Sequence, residues 1–544
     1  MPVVIVDGQE IEIGADERLN CIEAARRAGK EIPHYCWHPG LSVVASCRMC
    51  LIETGQRDAA TGKITMVPKL VPGCQTPVKD GTVIVTESQL VKDSRARVEE
   101  ALLIDHPIDC PICDKAGECL LQDYHFQHGQ PERRADLQPF HSRKRDVGPT
   151  VTLFVDRCIM CTRCVRFTRE VAGTAELMVT SRGAKEEIDV FPGHPLANKL
   201  SGNVVDLCPV GALGDKDFLY QQRVWFLKRE ANVCGGCSAG CSIYTEHNQD
   251  AVYRLKPREN PHVNKWWICD EGRYGWHHLH DQARILDASR KASSPQGGHG
   301  GTPATEAVEW ADVVVRLRED LKAAGRLAVA VSPMLTVEEA WMLCAVARSI
   351  DPEAFLASGF VPTTGADETF PGGFTIRGEK CPNRKGVEEV LAVYGAGGRS
   401  WNDLVAHVAG GGAEAAWITA GYPTPWIDTA AADSFSGLKQ LVVQDLFDSP
   451  LMRLATWRLP AAGFAERAGT WVNVAHHAQA FRQAIRPPAG VWPEGRLFWN
   501  MLGRRGLYDP TAVRQQIGTS TPALAALAGE IPATGVDLRI HQLA

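Results

Sequence analysis

A multidomain chain, α+β in its first half and α/β in its last part, is predicted by three observations. Sixteen of the eighteen cysteines in the 544 residues come before residue 270, and only Cys344 and Cys381 follow. A Gly/Ser/Pro-rich stretch, SRKASSPQGGHGGTP (289–303), then marks a flexible boundary. Beyond it, helical patterns alternate with short apolar runs such as LAVAVS, EAAWITAG and QLVVQDLF. That alternation is expected of helices crossing over a largely parallel sheet.

Composition narrows the class. At 44% hydrophobic, 22% charged and a formal net charge of −6, the chain is ordinary globular protein. Mild acidity gives no reason to expect nucleic acid as a partner. Apolar runs such as LAVAV (327–331) fall far short of the roughly 20 residues that cross a bilayer, so no direct membrane insertion is expected. The start, MPVVIVDGQEIEIG, lacks the basic stretch and apolar core of a secretory signal, and a cytoplasmic location is expected. Disulfides are rare there, so cysteines crowded into one half read as metal ligands and not as a disulfide framework.

The elements follow in order. Residues 1–90 open with two strands, VVIVDG and IEIG, joined as a hairpin. A helix is predicted over 17–29, with Leu19, Ile22 and Ala25 at helical spacing and Gly29 near its end. Strands at MCLIET and GTVIVT complete a small α+β module of ferredoxin type with cysteines on its loops. Residues 91–148 read as helical around HPIDCPICDKAGEC (106–119) and end in a basic stretch: Arg133, Arg134, Arg143, Lys144 and Arg145. That stretch suits a partner contact or a solvated loop. Residues 149–221 form another cysteine module, 222–288 a strand-rich one, and 304–544 the α/β part.

Four groups of four ligands stand out. Cys36, Cys47, Cys50 and Cys74 are spaced C-x10-C-x2-C-x23-C. Plant-type ferredoxins hold a [2Fe–2S] cluster with the same plan of one cysteine, a CxxC and a remote fourth, with a shorter first gap. Cys21 lies on the apolar side of the predicted helix and reads as core. His106, Cys110, Cys113 and Cys119 supply one imidazole and three thiolates, a set that suits zinc or an iron–sulfur cluster. Cys158, Cys161 and Cys164 in CIMCTRC are joined by the remote Cys208 of CPVGAL. In the bacterial run C-x2-C-x2-C-x3-C-P the last cysteine serves a second cluster. Here Thr168 takes its place, and counting back from Cys208 meets Val204, Ser201 and Asn198. One half-site survives from each end, enough for one [4Fe–4S] centre. The last group is Cys234, Cys237 and Cys241 in CGGCSAGC with Cys269, and its small residues let backbone come close to a bulky group. Zinc suits an isolated CxxC, but it is redox-inert and leaves the ferredoxin spacing unexplained.

Residues 1–280 resemble the large iron–sulfur subunit family of respiratory complex I, the NADH–quinone oxidoreductase. The resemblance runs through IPHYCWHP, CRMCLIE, HPIDCPICDKAGECLLQD, DRCIMCTRCVRF, LCPVGAL and CDEGR. It implies a β-grasp [2Fe–2S] domain, a His/Cys3 [4Fe–4S] segment and a [4Fe–4S] ferredoxin-like domain. It implies one [2Fe–2S] cluster on the Cys36 group and [4Fe–4S] clusters on the His106, Cys158 and Cys234 groups. Partners implied are an NADH/FMN-binding subunit, a ferredoxin-like subunit with two [4Fe–4S] clusters and a quinone-site subunit. The chain would then lie on the cytoplasmic face of the inner membrane. Electrons would pass through it toward quinone, supporting proton translocation, with no substrate site of its own. Ala45 stands where the family usually has Gly.

Residues 222–544 more distantly resemble the molybdopterin oxidoreductases, through RLPAAGFAERAGTWVN, QDLF and AGYPTP. Relatives with a working metal usually carry Lys two residues after the cysteine matching Cys269, where this chain has Glu271. NVAHHAQ also lacks the glycine usual after the ERAGTWVN run. A degenerate domain without molybdopterin is therefore expected, with His476 and His477 as scaffold. Three rivals stand beside this reading: an [FeFe] hydrogenase, the alpha subunit of a NAD-linked formate dehydrogenase, and a non-redox zinc scaffold. The first two need a second ferredoxin half or a full catalytic domain. GGHGG (297–301) is a weak decoy for a dinucleotide loop.

Overall fold

The computed structural model describes residues 1–132, 134–135, 137, 144–183, 185–291 and 305–541. It divides into two compact units, one of residues 1–227 with 370–374, the other of residues 228–369 with 375–544.

The first unit opens with the hairpin Val3–Val6 and Gln9–Glu12, closed with Val6 opposite Gln9. Asp7 and Gly8 turn it with positive φ at both positions, the backbone that a tight two-residue hairpin requires. The sheet runs Gln9–Glu12, Val3–Val6, Thr82–Val85, Leu51–Arg57, Ile64–Met66, with Val71–Pro72 pairing off Leu51–Arg57. Only the pair of Val3–Val6 with Thr82–Val85 is parallel within that path. The helix is shorter than the sequence pattern predicts, Cys21–Arg27, because Asn20 caps it. Asn20 accepts from the Glu23 N–H while Glu23 reaches back to Asn20 N, a reciprocal box that sets the start. Leu19 thus packs from outside the helix, and Cys21, Ile22, Ala24 and Ala25 fill the core.

Helix Gln89–Asp105 begins at its cap Ser88 and stops at His106, which is extended at φ −75°, ψ 125°. Pro107 follows, and a residue before proline is pushed out of the helical region. Helix Leu120–His128 starts directly after Cys119. In the remaining part, Val151–Phe154 pairs with Leu213–Asp215 and Lys144–Asp146, and Leu177–Thr180 pairs with Glu187–Val190. Short helices Arg163–Phe167 and Asn203–Leu207 carry the Cys164 and Cys208 ends of the third group. Of the basic stretch, Arg134 pairs with Glu100 and Arg145 with Glu187 and Asp189, so these charges are spent within the unit. Lys144 lies over the rings of Phe154 and Tyr220. Arg133 and Arg143 lie outside the described residues.

The second unit begins with an antiparallel sheet of Lys228–Val233, Ser242–Asn248 and Ala251–Pro257. Its α/β part has a seven-stranded sheet. Trp457–Pro460, Gln440–Asp445, Ala415–Thr419, Leu327–Val331 and Phe355–Ser358 are successive parallel strands. Leu327–Val331 is buried along its whole length, as a strand covered on both faces must be, which is why its sequence does not alternate. The linker reading needs correction at its start. Ser289–Lys291 is a strand that pairs antiparallel with Trp457–Pro460 and Thr305–Ala307, extending the sheet. Residues 292–304, including GGHGG, lie outside the described residues. Cys344 is fully buried in the α/β core, and Cys381 packs with Met334, Ala420 and Tyr422. Among the described residues no helix is long and apolar enough to cross a membrane.

Candidate functional site

The first group lies on loops of the first unit and meets at its sulfurs. Cys36 is within hydrogen-bond reach of Cys47 and Cys74, and Cys50 of Cys74. The Cys47 and Cys74 thiols hold the Cys36 thiol low, and Cys74 does the same for Cys50, while Cys47 and Cys74 are pushed up in return. Four neighbouring sulfurs cannot all ionise without an added positive charge, because each thiolate raises the next. Cys36, Cys50 and Cys74 are buried, and Cys47 is half-buried. Cys21, beside them in the core, has its thiol pushed up to about 12, first by burial and then by Cys50.

His106, Cys110, Cys113 and Cys119 line one cavity with Pro107, Arg157 and Gly211 among its other walls. The His106 Nδ1 atom is buried with no hydrogen-bond partner. Burial, with the nearby Arg157 charge, lowers the imidazole to about 4, so the ring is neutral and has a lone pair to offer. Burial also pushes the Cys119 thiol up to about 11 and raises Cys113.

Cys158, Cys161, Cys164 and Cys208 line a second cavity, closed by Leu153, Ile188 and Leu213. The CIMCTRC loop wraps it through two left-handed residues, Met160 (φ 50°) and Thr162 (φ 58°). The Met160 N–H points at the Cys158 sulfur, 3.4 Å away. Burial raises all of Cys158, Cys161 and Cys164, and each feels the other sulfurs of the group.

Cys234, Cys237, Cys241 and Cys269 gather in the second unit, where burial first and their mutual repulsion next raise Cys234, Cys241 and Cys269. Gly236 and Gly272 donate N–H groups to the Cys234 and Cys269 sulfurs at 3.5 and 3.3 Å. A Cβ on Gly272 would stand 3.1 Å from Cys234 Sγ and 3.4 Å from Cys269 Sγ, so its bare backbone is what lets both sulfurs approach. Beside this group is a cavity of about 290 Å³, walled by Cys234, Gly272, Lys380, Tyr422, Phe464 and Trp471. Glu271 pairs with Lys380 at 2.7 Å. His477 is buried in a strand with Nε2 against the Thr534 carbonyl, and His476 faces Glu389 at 3.9 Å.

The donor sets fit clusters in their chemistry. Two are walled cavities, one holds an orphaned imidazole nitrogen, and glycines sit where any side chain would strike sulfur. A Cβ on Gly211 would fall 2.2 Å from Cys113 Sγ. Among the described residues no three His, Cys, Asp or Glu side chains converge closely enough for a single metal ion.

Sequence reasoning passed over Gly211 and three arginines beside the cysteines. Arg157 lines the His106 cavity, pairs with Asp109 at 3.3 Å and lies over Phe154. Arg163 and Arg166 are buried among carbonyls of the first and third groups. Their signal was present in RCIMCTRCVRF: charged residues interleaved with buried ligands need internal partners.

Comparison with known proteins agrees with this layout. Residues 3–89 match a 2Fe-2S iron-sulfur cluster binding domain, and residues 95–134 the NADH-ubiquinone oxidoreductase-G iron-sulfur binding region. Residues 148–214 match the ferredoxin-like domain of NADH-quinone oxidoreductase subunit 3, and residues 227–281 the molybdopterin oxidoreductase Fe4S4 domain. An NADH-quinone oxidoreductase subunit from Rickettsia felis is 34% identical over 362 residues, 65% of this chain and 50% of its own length. Its counterpart from Rickettsia conorii is 39% identical over 276 residues, 50% of this chain and 39% of its own. The mitochondrial NADH dehydrogenase [ubiquinone] iron-sulfur protein 1 of Solanum tuberosum is 33% identical over 375 residues, 66% of this chain and 48% of its own. The chain spans about half the length, or less, of these relatives. With 2Fe–2S and 4Fe–4S domains in this order, the chain is similar over its first half to the large iron–sulfur subunits of NADH–quinone oxidoreductase.

Proposed function

We propose that the chain relays electrons in an NADH–quinone oxidoreductase. In this reading one [2Fe–2S] cluster is held by Cys36, Cys47, Cys50 and Cys74. Three [4Fe–4S] clusters are held by His106/Cys110/Cys113/Cys119, Cys158/Cys161/Cys164/Cys208 and Cys234/Cys237/Cys241/Cys269. Bound clusters supply one-electron redox centres and make or break no substrate bond.

The observation that carries the reading is the cavity walled by His106 and its three cysteines, with Nδ1 of the ring buried and unbonded. A buried polar atom left without a partner costs roughly 1–3 kcal/mol, which a ligand bond would recover. The protein's part is to exclude water, hold the sulfurs close despite their mutual repulsion, and set local charge. One imidazole in place of a thiolate leaves its site one negative charge lighter.

The partners in this reading are the NADH/FMN-binding subunit, a ferredoxin-like subunit with two [4Fe–4S] clusters and the quinone-site subunit. They carry the substrates, and proton translocation belongs to the complex. The chain is placed on the cytoplasmic face of the inner membrane through those partners. Residues 304–544 are read as a degenerate molybdopterin-oxidoreductase-like domain without molybdopterin, with Glu271 engaged by Lys380.

The test is iron, sulfide, zinc and molybdenum per chain on anaerobically purified protein, with low-temperature EPR after dithionite. About 14 irons without molybdenum supports the proposal. Stoichiometric molybdenum favours a formate dehydrogenase, and zinc in place of iron ends both readings. His106→Ala should lose one cluster and keep three; four intact clusters in that variant refute the His106 assignment.

A further inference from the structure

We infer that Arg163 and Arg166 are positioning residues shared by two cluster sites. Their buried guanidinium groups tie the Cys36 site to the Cys158 site and bias both toward the reduced state. The inference rests on the ligand assignment proposed above and adds to it which residues couple those sites.

The two side chains leave one face of helix Arg163–Phe167 and are 7% and 4% exposed. Arg166 Nη2 donates to the carbonyl of Cys36 and, at 3.2 Å, to that of Cys161. Its Nη1 donates to Ser42 O, and its Nε to Thr162 O at 3.3 Å. Arg163 Nη2 donates to Trp37 O at 2.6 Å and its Nη1 to Leu207 O at 3.3 Å. Cys36, Trp37, Cys161 and Leu207 are each a ligand of the first or third group or the residue next to one. Each arginine therefore holds one carbonyl from either site. Ser42, which Arg166 also holds, is clamped in turn by Glu170 through its N–H at 2.8 Å and its hydroxyl at 2.6 Å.

Charge adds to this geometry. Two buried arginines elsewhere have carboxylate partners: Arg284 pairs with Glu466, and Arg467 with Glu339 and Glu494. Among the described residues neither Arg163 nor Arg166 has one, although a buried charge without a counter-charge is costly. The groups whose negative charge acts on Arg163 include Cys161 and Cys36. In this reading the ligating thiolates supply the nearby negative charge. An electron added to either site adds negative charge beside a fixed cation in a dry interior, where the attraction is strong. The cations therefore raise the reduction potential of both centres. Carbonyl hydrogen bonds alone would hold the backbone without favouring either oxidation state.

The test is an EPR-monitored dithionite titration of the full cluster-loaded chain and its variants. Arg166→Gln should lower the midpoints of both the Cys36 and the Cys158 centres and leave the Cys234 centre unmoved. Arg166→Lys keeps the charge and loses most of the fork, so it should restore both midpoints most of the way. Arg163→Gln should repeat the paired fall. No shift, a shift at one centre, an equal shift at all centres, or a Lys variant as low as Gln overturns the inference. If Gln releases iron from either site, the Lys variant decides: preserved midpoints support the inference and lowered ones overturn it. Loss of both clusters in the Lys variant as well reduces Arg166 to a folding role and also overturns it. Absence of the two signals from the unsubstituted chain instead refutes the ligand assignment.

Discussion

Leu120 donates its backbone N–H to the carbonyl of Pro209 at 2.9 Å, and each residue directly follows a predicted ligand, Cys119 and Cys208. The second and third groups are thereby joined through main chain. Two residues on, Gly211 brings bare backbone against Cys113. Gly211→Ala puts a methyl 2.2 Å from Cys113 Sγ, closer than any packing allows. The expected result is loss of the His106 centre alone, read as a fall of about four irons per chain and one missing EPR signal. A variant with full iron content would show that the loop yields at no cost.

Glu99 predicts a pH dependence in the first unit. It is fully buried, the Tyr35 hydroxyl donates to its Oε1, and its Oε2 has no partner. Arg95, one turn earlier, is directed to Glu87 at 3.6 Å. Burial raises the Glu99 carboxyl to about 7. The folded state thus binds more protons than the unfolded state between about 4.5 and about 7, and stability falls as pH rises through that window. Glu99→Gln keeps an acceptor for Tyr35 and removes the charge. It should flatten that slope and gain roughly 2–3 kcal/mol at pH 8, measured as unfolding free energy against pH. Parallel pH curves for the two proteins would contradict this.

Arg467 holds the second unit together from inside. It is 4% exposed and bridges Glu339 and Glu494, each at 2.9 Å. Arg467→Met leaves two carboxylates facing each other without water, a loss of about 3–5 kcal/mol. Thermal unfolding should show that unit melting early while the EPR signals of the first unit persist. An unchanged melt would mean that the carboxylates take up protons and lose little.

Ala45 at φ 52° and His476 at φ 62° are non-glycine residues on left-handed backbone. A side chain there strains against the backbone, while glycine does not. His476→Gly should stabilise the second unit by about 0.5–1 kcal/mol, net of the extra freedom glycine gives the unfolded chain. Ala45→Gly should gain less, because the Ala45 methyl packs on the core. Denaturant midpoints for both variants check the sign, and a lower midpoint for His476→Gly would mean that the left-handed backbone there carries no strain.

Much of this protein is legible in its sequence because the information is local. Spacing set out four groups of candidate ligands, and Pro107 ends its helix at His106 by a clash between neighbours. Alternation and apolar runs marked the opening hairpin and the parallel strands, since side-chain period follows directly from backbone geometry. The helix start at Asn20 was legible too, but the reciprocal bond with Glu23 outweighed an apolar pattern that began earlier.

Tertiary structure decided the rest. Ser289–Lys291 has the composition of a linker and became a strand because an open sheet edge at Trp457–Pro460 supplied its hydrogen bonds. Arg163 and Arg166 could not be told from surface charges until folding placed carbonyls from residues more than 120 positions away around them. Which residues can ligate follows from side-chain chemistry, and a chain states that in its own order. How sites share backbone and charge depends on through-space distances, and those exist only once the chain has closed on itself.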